Sequence, residues 1–228
     1  MKSSFMVANR QLMIRLAYAF GFFIVATLLF GILADKVTES ATASLDTSAL
    51  LWINSHTSAG LDVFFVTITD LGGAIAVASI SLALVIYYIV KKRYHRAVFV
   101  AAAVGGAALL NLLLKLVFER ERPDLWEVLI TETSFSFPSG HAMASSALAL
   151  TIVALAWKTK WRYAIVFAAC LYGLLIGFSR LYLGVHFPTD IIGGWIVSAA
   201  WVAVVTAIMY TYVFRKYHPS QSADKAHL

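Results

Sequence analysis

The sequence contains few charged residues for its length. Only 13% of its 228 residues are Asp, Glu, Lys or Arg, whereas a soluble domain carries about a quarter. Hydrophobic residues account for 61% of the chain. So apolar a composition excludes an ordinary water-soluble surface and indicates a polytopic membrane protein. We expect residues 1–228 to form a single transmembrane domain.

The sequence also lacks cysteine pairs. Cys170 is the single cysteine, and it lies within an apolar stretch. One cysteine excludes a disulfide framework and a cysteine-based metal site. A cysteine in such a setting is typical of a small hydrophobic side chain.

Long segments without charge predict the secondary structure. A membrane-spanning helix needs about 20 mostly apolar residues, because its backbone groups find no water partners in lipid. Six segments reach or approach this length: Leu16–Ala34, Leu71–Val90, Ala97–Leu114, His141–Trp157, Tyr163–Ser179 and Ile191–Phe214. We therefore expect an all-α bundle of six transmembrane helices with short segments on its outer face. One of these, Leu45–Ile53, is expected to form a helix at the membrane interface.

Basic residues are concentrated on one side of these segments. The net charge is +6, and thirteen of the 18 Lys and Arg residues lie at the termini, in residues 91–96 and in residues 158–162. Basic connections stay on the cytoplasmic side, so we expect a multi-pass cell-membrane protein with both termini in the cytoplasm. Nucleic-acid binding would require a basic face on a soluble fold, and no nucleic acid is expected as a partner. The last ten residues are expected to be disordered.

Five basic residues lie on the expected outer side, against this bias. They are Lys36, Lys115, Arg120, Arg122 and Arg180. A cation on that side requires a local reason. We interpret Arg120 as an anchor at the membrane surface, whereas Lys115, Arg122 and Arg180 belong to clusters of polar residues.

Three such clusters lie at the expected outer ends of helices. They are Lys115 with Arg122-Pro123, Pro138-Ser139-Gly140-His141, and Ser179-Arg180 with His186 and Asp190. A phosphoryl group in transfer needs cations and N–H donors around its oxygens, and an arginine fork can bind two oxygens at once. Ser139 is a candidate N-cap, beside which the N–H of Gly140 would be available to an anion.

His186 and Asp190 have a spacing suited to nucleophilic catalysis. Pro188 marks the start of the last helix, which places Asp190 in the first turn, four residues after His186. The carboxylate could accept a hydrogen bond from one ring nitrogen and leave the other nitrogen to attack. Taken by themselves, the two residues could equally form a helix-capping pair.

Taken together, Lys115-x6-Arg122-Pro123, Pro138-Ser139-Gly140-His141 and Ser179-Arg180-x5-His186-x3-Asp190 resemble the three-part signature of the type 2 phosphatidic acid phosphatase (PAP2) superfamily. The layout of helices also resembles its bacterial membrane members that act on phosphatidylglycerol phosphate or undecaprenyl diphosphate. The resemblance implies hydrolysis of a lipid phosphate through a phosphohistidine, without a metal or another cofactor. It implies His186 as nucleophile, Asp190 as its partner and His141 as general acid and base. The resemblance assigns phosphate binding to the other signature positions: Lys115, Arg122, Ser139, Gly140 and Arg180.

The sequence leaves alternatives open. The substrate could be phosphatidylglycerol phosphate, undecaprenyl diphosphate or phosphatidic acid, and a transporter of lipids or small molecules with an anion site is a second function. The expected partners are the lipid substrate and membrane lipids, with no obligate protein partner and with the site on the extracytoplasmic face. The acidic residues of the loop that follows the third segment are interpreted as solvated rather than as metal ligands. They are Glu119, Glu121, Asp124, Glu127 and Glu132.

Overall fold

The computed structural model describes residues 2–217, without the side chains of residues 2–9, 11 and 214–217. The expected disorder of the last ten residues falls outside this range. The described chain contains nine α-helices and no strand. Their bounds are α1 (Lys2–Thr38), α2 (Ala43–Asn54), α3 (Ala59–Thr69), α4 (Ala74–Val90), α5 (Tyr94–Val100), α6 (Gly106–Phe118), α7 (Gly140–Ala156), α8 (Arg162–Tyr182) and α9 (Pro188–Tyr217).

The described helices provide fewer full-length spans than the six we expect. Four are long and apolar enough to cross a membrane: Leu12–Thr38, Tyr94–Phe118, Arg162–Tyr182 and Pro188–Val213. A fifth span is possible if α3 and α4, which meet at an angle of 42°, act as one broken element. Helix α7 has only 17 residues. The all-helical fold is therefore confirmed, whereas the count of six spans is not.

Helices α5 and α6 are joined by a π-helical turn, Ala101–Gly105, into one continuous element. A side chain from α9 explains this irregularity, since the indole nitrogen of Trp201 donates to the carbonyl oxygens of Ala102 and Ala103, both at 3.1 Å. An inserted donor of this kind disturbs the helical hydrogen-bond ladder. Gly106 makes room for the same indole ring.

Helix α7 forms the centre of the bundle and packs against α4, α6, α8 and α9. Eight of its residues are buried, and most are small: Ala142, Met143, Ser145, Ser146, Ala147, Leu148, Ala149 and Thr151. Small residues allow close approach of helices in lipid, where no water drives their association. A helix surrounded by protein in this way need not itself cover the full apolar thickness of the bilayer.

Aromatic packing connects the end of α1 to the loop before α7. The Phe137 ring lies in that loop, is fully buried and stacks on Phe30 with ring centroids 5.6 Å apart. Phe118, the last residue of α6, meets the Phe137 ring edge-on at 5.1 Å. Ala34 and Val37 of α1 complete this cluster. The cluster fixes the loop of residues 119–139 over one end of the bundle.

The close packing of Trp201 on Gly106 predicts a position-specific effect on stability. A Cβ at Gly106 would lie 2.2 Å from the indole, whereas a Cβ at the neighbouring Gly105 would meet nothing within 4 Å. We expect Gly106→Ala to lower the free energy of unfolding by about 1–3 kcal/mol through overpacking. Gly105→Ala should be neutral. Thermal unfolding in detergent measures both, and equal melting temperatures for the two variants would contradict the packing described.

Candidate active site

The loop of residues 119–139 brings the three polar clusters to one end of the bundle. Helix α6 ends at Phe118 because Glu119 adopts a left-handed conformation with φ 43°, and its N–H donates to the carbonyl of Lys115. Ser136 N–H donates to the Arg120 carbonyl at 2.8 Å and closes the loop. Helix α6 therefore stops before Arg122, so Lys115 and Arg122 do not lie on one helical face. Both nevertheless hydrogen-bond to the same residue of this loop, Ser134.

His186 and Asp190 form a buried pair between α8 and α9. The His186 side chain is 1% exposed, and its Nδ1 lies 3.2 Å from Oδ2 of Asp190. The Arg122 guanidinium lies 3.2 Å from the other ring nitrogen, Nε2. A guanidinium can only donate, so Nε2 must accept from it, and the ring proton resides on Nδ1 facing the carboxylate. The lone pair of Nε2 is therefore directed at the cationic side of the site.

The environment of His186 favours the neutral ring. Burial lowers its pKa to about 4, although hydrogen bonding and attraction by Asp190 act in the opposite direction. The charges of Arg122 and Arg180 lower the pKa further. At neutral pH the Nε2 lone pair is thus unprotonated, which is the form that a nucleophile requires.

Arg122 and Arg180 converge around one carboxylate, and Lys115 hydrogen-bonds to the same loop. Lys115 Nζ donates to Ser134 Oγ at 2.8 Å. Arg180 is 1% exposed and pairs with Glu132, which also lies 3.7 Å from the Arg122 guanidinium. Our interpretation of Glu132 as a residue of a solvated loop is therefore wrong, since the buried Arg180 and the partly buried Arg122 draw it into the site.

Glu132 is held in its charged form by these neighbours. Burial by itself raises the pKa of its carboxyl group, but the charges of Arg180 and Arg122 outweigh burial. His141, in the first turn of α7, is near enough to act on the pKa of Glu132 in the same direction. The pKa of Glu132 is consequently below its ordinary value. At neutral pH a carboxylate thus occupies the space between two guanidinium groups.

The start of α7 provides backbone donors and the second histidine. As expected, Ser139 caps the helix, accepting a hydrogen bond from the Ala142 N–H at 3.4 Å. First-turn N–H groups have no acceptor within their own helix, so those of Gly140 and His141 are left for a ligand. A Cβ at Gly140 would approach Oδ1 of Asn111 to 3.0 Å, which favours glycine there. The bond preceding Pro138 is a cis peptide.

The structure adds residues to the site that the motifs do not contain. Arg120 is not a surface anchor, because its guanidinium forms ion pairs with Asp190 at 2.5 Å and with Asp46 at 2.8 Å. Asp46 belongs to α2, is 1% exposed, and accepts from both N–H and hydroxyl of Thr189. Arg120 binds Oδ1 of Asp190, and the Ser136 hydroxyl donates to the other carboxylate oxygen, Oδ2. Asp190 is thereby held by two residues of the loop of residues 119–139 and is linked through Arg120 to Asp46 of α2.

Two of these additions left a signal in the sequence. Asp46 is an acid inside the apolar segment Leu45–Ile53, and Arg120 is one of the five cations on the disfavoured side. An isolated ionisable residue in either setting requires a partner. Ser136 had no such signal, since a serine in a polar loop is ordinary.

The acidic loop shows no arrangement typical of a metal site. Within residues 2–217, no group of three or more His, Cys, Asp and Glu side chains is placed to hold a metal ion. Two of the loop's acids, Glu127 and Asp124, are exposed.

Comparison with known proteins identifies relatives of the chain. The sequence profile of the PAP2 superfamily matches residues 96–214. The chain is 43% identical over 96 residues to phosphatidylglycerophosphatase B of Bacillus subtilis, an alignment covering 40% of this chain and 46% of that protein. It is 34% identical over 149 residues to undecaprenyl-diphosphatase BcrC of the same organism, covering 63% and 72%, respectively.

A solved structure resembles the fold over most of its length. It is the crystal structure of a transmembrane PAP2-type phosphatidylglycerolphosphate phosphatase from Bacillus subtilis, with a TM-score of 0.78 and 28% sequence identity. The match covers 83% of this chain and 96% of that one. By sequence, the chain aligns with less than half of the first relative, phosphatidylglycerophosphatase B.

The ion pair of Arg120 with Asp190 should lower the pKa of His186, and a substitution at Arg120 tests this effect. Arg120 neutralises part of the Asp190 charge, so Arg120→Gln should let the carboxylate stabilise the imidazolium more strongly. We expect the pKa of His186 to rise by about one unit. A pH titration of the labelled histidine by NMR measures it, with Lys36→Gln, an exposed cation on the same side, as control. An unchanged or lower pKa in Arg120→Gln would refute the electrostatic role of Arg120.

Proposed function

The chain belongs to the PAP2 superfamily, and from this premise we propose that it is a membrane-embedded lipid phosphate phosphohydrolase acting through a phosphohistidine, without a metal. One observation carries the proposal: Nε2 of the buried, neutral His186 lies against Arg122, beside a set of further cations. A nucleophile with its lone pair directed at an anion-binding site is the arrangement that phosphoryl transfer needs.

We assign phosphate binding to the space that Glu132 now occupies. Its carboxylate lies between the guanidinium groups of Arg122 and Arg180, where a phosphoryl group would find the same charge complementarity. Displacement of Glu132 by the more highly charged phosphate lets both forks bind oxygens directly. Lys115 completes the cradle together with backbone N–H groups at the start of α7, where Ser139 is the cap. The N–H of Gly140 is one of these groups.

In the first step, Nε2 of His186 attacks phosphorus and the bond from phosphorus to the departing lipid oxygen breaks. Arg122 must release Nε2 and take a phosphate oxygen for this attack to occur. Asp190 stabilises the positive charge that develops on the His186 ring. His141 donates a proton to the departing oxygen, and the incoming phosphate favours the protonated form of His141 that this requires.

In the second step, water hydrolyses the phosphohistidine. His141, having lost its proton, accepts one from water as the water oxygen attacks phosphorus. The phosphorus–nitrogen bond breaks, the electron pair returns to Nε2, and inorganic phosphate leaves. The site is thereby restored with the ring proton of His186 still on Nδ1.

We propose phosphatidylglycerol phosphate as the first substrate to test, followed by undecaprenyl diphosphate and phosphatidic acid. The names of the two Bacillus subtilis relatives and the 0.78 TM-score of the phosphatase structure support this order. The site binds the terminal phosphate that all three lipids share. The alternative function, a transporter, finds no support in these relatives.

We also propose that the site faces the extracytoplasmic side, with both termini in the cytoplasm. Support comes from the basic segments of residues 91–96 and 158–162. The segment of residues 158–162 follows the carboxyl end of α7, whereas His141 lies at the amino end of that helix. Basic segments at that end are retained in the cytoplasm.

Phosphate release from purified protein tests the function. We expect release from phosphatidylglycerol phosphate to continue in EDTA. His186→Ala should reduce the rate at least about a thousand-fold, because removal of a nucleophile leaves only residual catalysis. The control His56→Ala changes an exposed histidine after α2, and its rate of phosphate release should stay within about two-fold of the parent's. A His186→Ala variant with a near-normal rate, or no release from any of the three lipids, would overturn the proposal.

Displacement of Glu132 has a measurable consequence for inhibition. Orthovanadate should occupy the phosphate position and compete with the Glu132 carboxylate. We expect Glu132→Gln to lower the inhibitory vanadate concentration on the order of ten-fold, because a charge-assisted contact that must be broken is worth about 1.5–3 kcal/mol. Glu127→Gln removes an exposed acid of the same loop and should leave inhibition unchanged. Weaker inhibition in Glu132→Gln would show that Glu132 assists anion binding instead.

A further inference from the structure

Two apolar grooves flank α1 at the end of the bundle opposite the candidate active site, and only one of them has a basic rim. The first groove, between α1 and α9, has a volume of about 580 Å³ and no ionisable side chain other than Tyr212 in its lining. The second groove, of about 610 Å³, reaches from α1 across α9 to α7 and the start of α5. Its rim contains Arg15, Arg96 and Lys158. We call this second groove the basic groove.

The direction of the helices places the basic groove far from the active-site end. Lys158 follows the end of α7, whereas Ser139 caps the beginning of the same helix. Seventeen residues of α-helix separate these ends by about 26 Å. Tyr210, which lines the groove, lies on α9 about 30 Å from Asp190 by the same measure. A ligand of the basic groove is therefore separate from the substrate site.

The cations of the rim are available to a ligand. None of the five ion pairs among the described residues involves Arg15, Arg96 or Lys158, and the lining contains no acid. The guanidinium of Arg15 lies 4.8 Å from the centre of the Tyr210 ring, and that of Arg96 lies 5.6 Å from the Tyr88 ring. Stacking on an aromatic face positions a guanidinium while leaving its edge N–H groups free to donate.

Below this rim, the groove continues as an apolar trough between helices. Leu150 and Val153 of α7 and Ala199 and Val202 of α9 line it, and Phe22 of α1 forms part of the opposite wall. An occupant that uses the whole site thus needs an anionic group and a hydrocarbon chain. A free phosphate would leave the trough unfilled, and a zwitterionic lipid has no net negative charge to match a rim of three cations.

We propose that the basic groove binds one anionic phospholipid, with its headgroup phosphate between Arg15, Arg96 and Lys158 and an acyl chain along the trough. Basic pockets between transmembrane helices recognise anionic headgroups in this way. The proposal depends on the groove alone and stands or falls independently of the proposed hydrolase function.

Native mass spectrometry of the purified protein tests it. The protein is mixed with equal amounts of chain-matched phosphatidylserine and phosphatidylcholine. Phosphatidylserine is anionic but is a phosphodiester, so it offers the active site no terminal phosphate. We expect roughly ten-fold more of the one-to-one phosphatidylserine adduct, since three basic residues contribute to headgroup attraction. Equal retention of the two lipids would overturn the proposal.

Substitutions locate the bound lipid. The triple variant Arg15→Gln, Arg96→Gln, Lys158→Gln should lose the preference for phosphatidylserine. A matched control, Lys91→Gln, Lys92→Gln, Lys160→Gln, removes the same charge from exposed positions on the same side that do not line the groove and should retain it. An equal loss in both variants would mean general attraction to the basic end and would contradict a defined site.

Two further measurements keep the result unambiguous. If the half-buried Arg96 makes the triple variant unstable, the double variant Arg15→Gln, Lys158→Gln, changed only at exposed residues, should still lose most of the preference. Excess inorganic phosphate should leave the phosphatidylserine adduct in place. Displacement of the lipid by phosphate would show that the groove is a simple anion site and would refute a lipid site.

Discussion

A carboxylate buried in an apolar bundle needs compensating partners, and Asp190 is fully buried. Its two oxygens bind His186, Ser136 and the Phe187 N–H on one side and Arg120 on the other. Arg120 in turn requires the buried Asp46 of α2. Removal of Arg120 would leave two buried carboxylates without a cationic partner in a low dielectric. This requirement connects α2, the loop of residues 119–139 and the start of α9 into one unit around the proposed nucleophile.

A second chain of charges surrounds the other nitrogen of His186. Arg122 contacts Nε2, and Glu132 bridges Arg122 to Arg180. In the absence of a ligand, Glu132 balances cations that would otherwise repel one another. The same cations are thus both stabilised in the free protein and ready for a phosphoryl group of greater charge. Substrate binding is consequently an exchange of anions. The affinity for phosphate depends on how much more strongly the cations bind the phosphoryl group than they bind the Glu132 carboxylate.

The sequence predicted most of what local physics controls. Charge-free segments identified an all-helical membrane protein, and the Ser139 cap and the Asp190–His186 spacing follow from rules within one helical turn. The bounds of α7 were predicted to within one residue, but the number of full-length spans was not, because α7 has only 17 residues and α3 and α4 meet at a bend. Arg120 and Asp46 were misjudged or overlooked because the partners that bury them lie 70 or more residues away. Glu132 was misjudged because its buried partner, Arg180, lies 48 residues away. The sequence can indicate that an isolated ionisable residue needs a partner, but tertiary packing decides which partner it meets.

The central claim is that Nε2 of His186 becomes covalently bound to phosphorus. Rapid quenching tests this directly in a His141→Ala protein given undecaprenyl diphosphate with a radiolabelled terminal phosphate. The departing lipid phosphate needs little protonation, so the intermediate still forms, whereas its hydrolysis, which needs His141 as base, is slowed. We predict labelled protein whose phosphate survives alkali, is lost in acid, and maps to the peptide containing His186. Label on any other residue, or turnover with no labelled protein in the His141→Ala variant, would contradict the account.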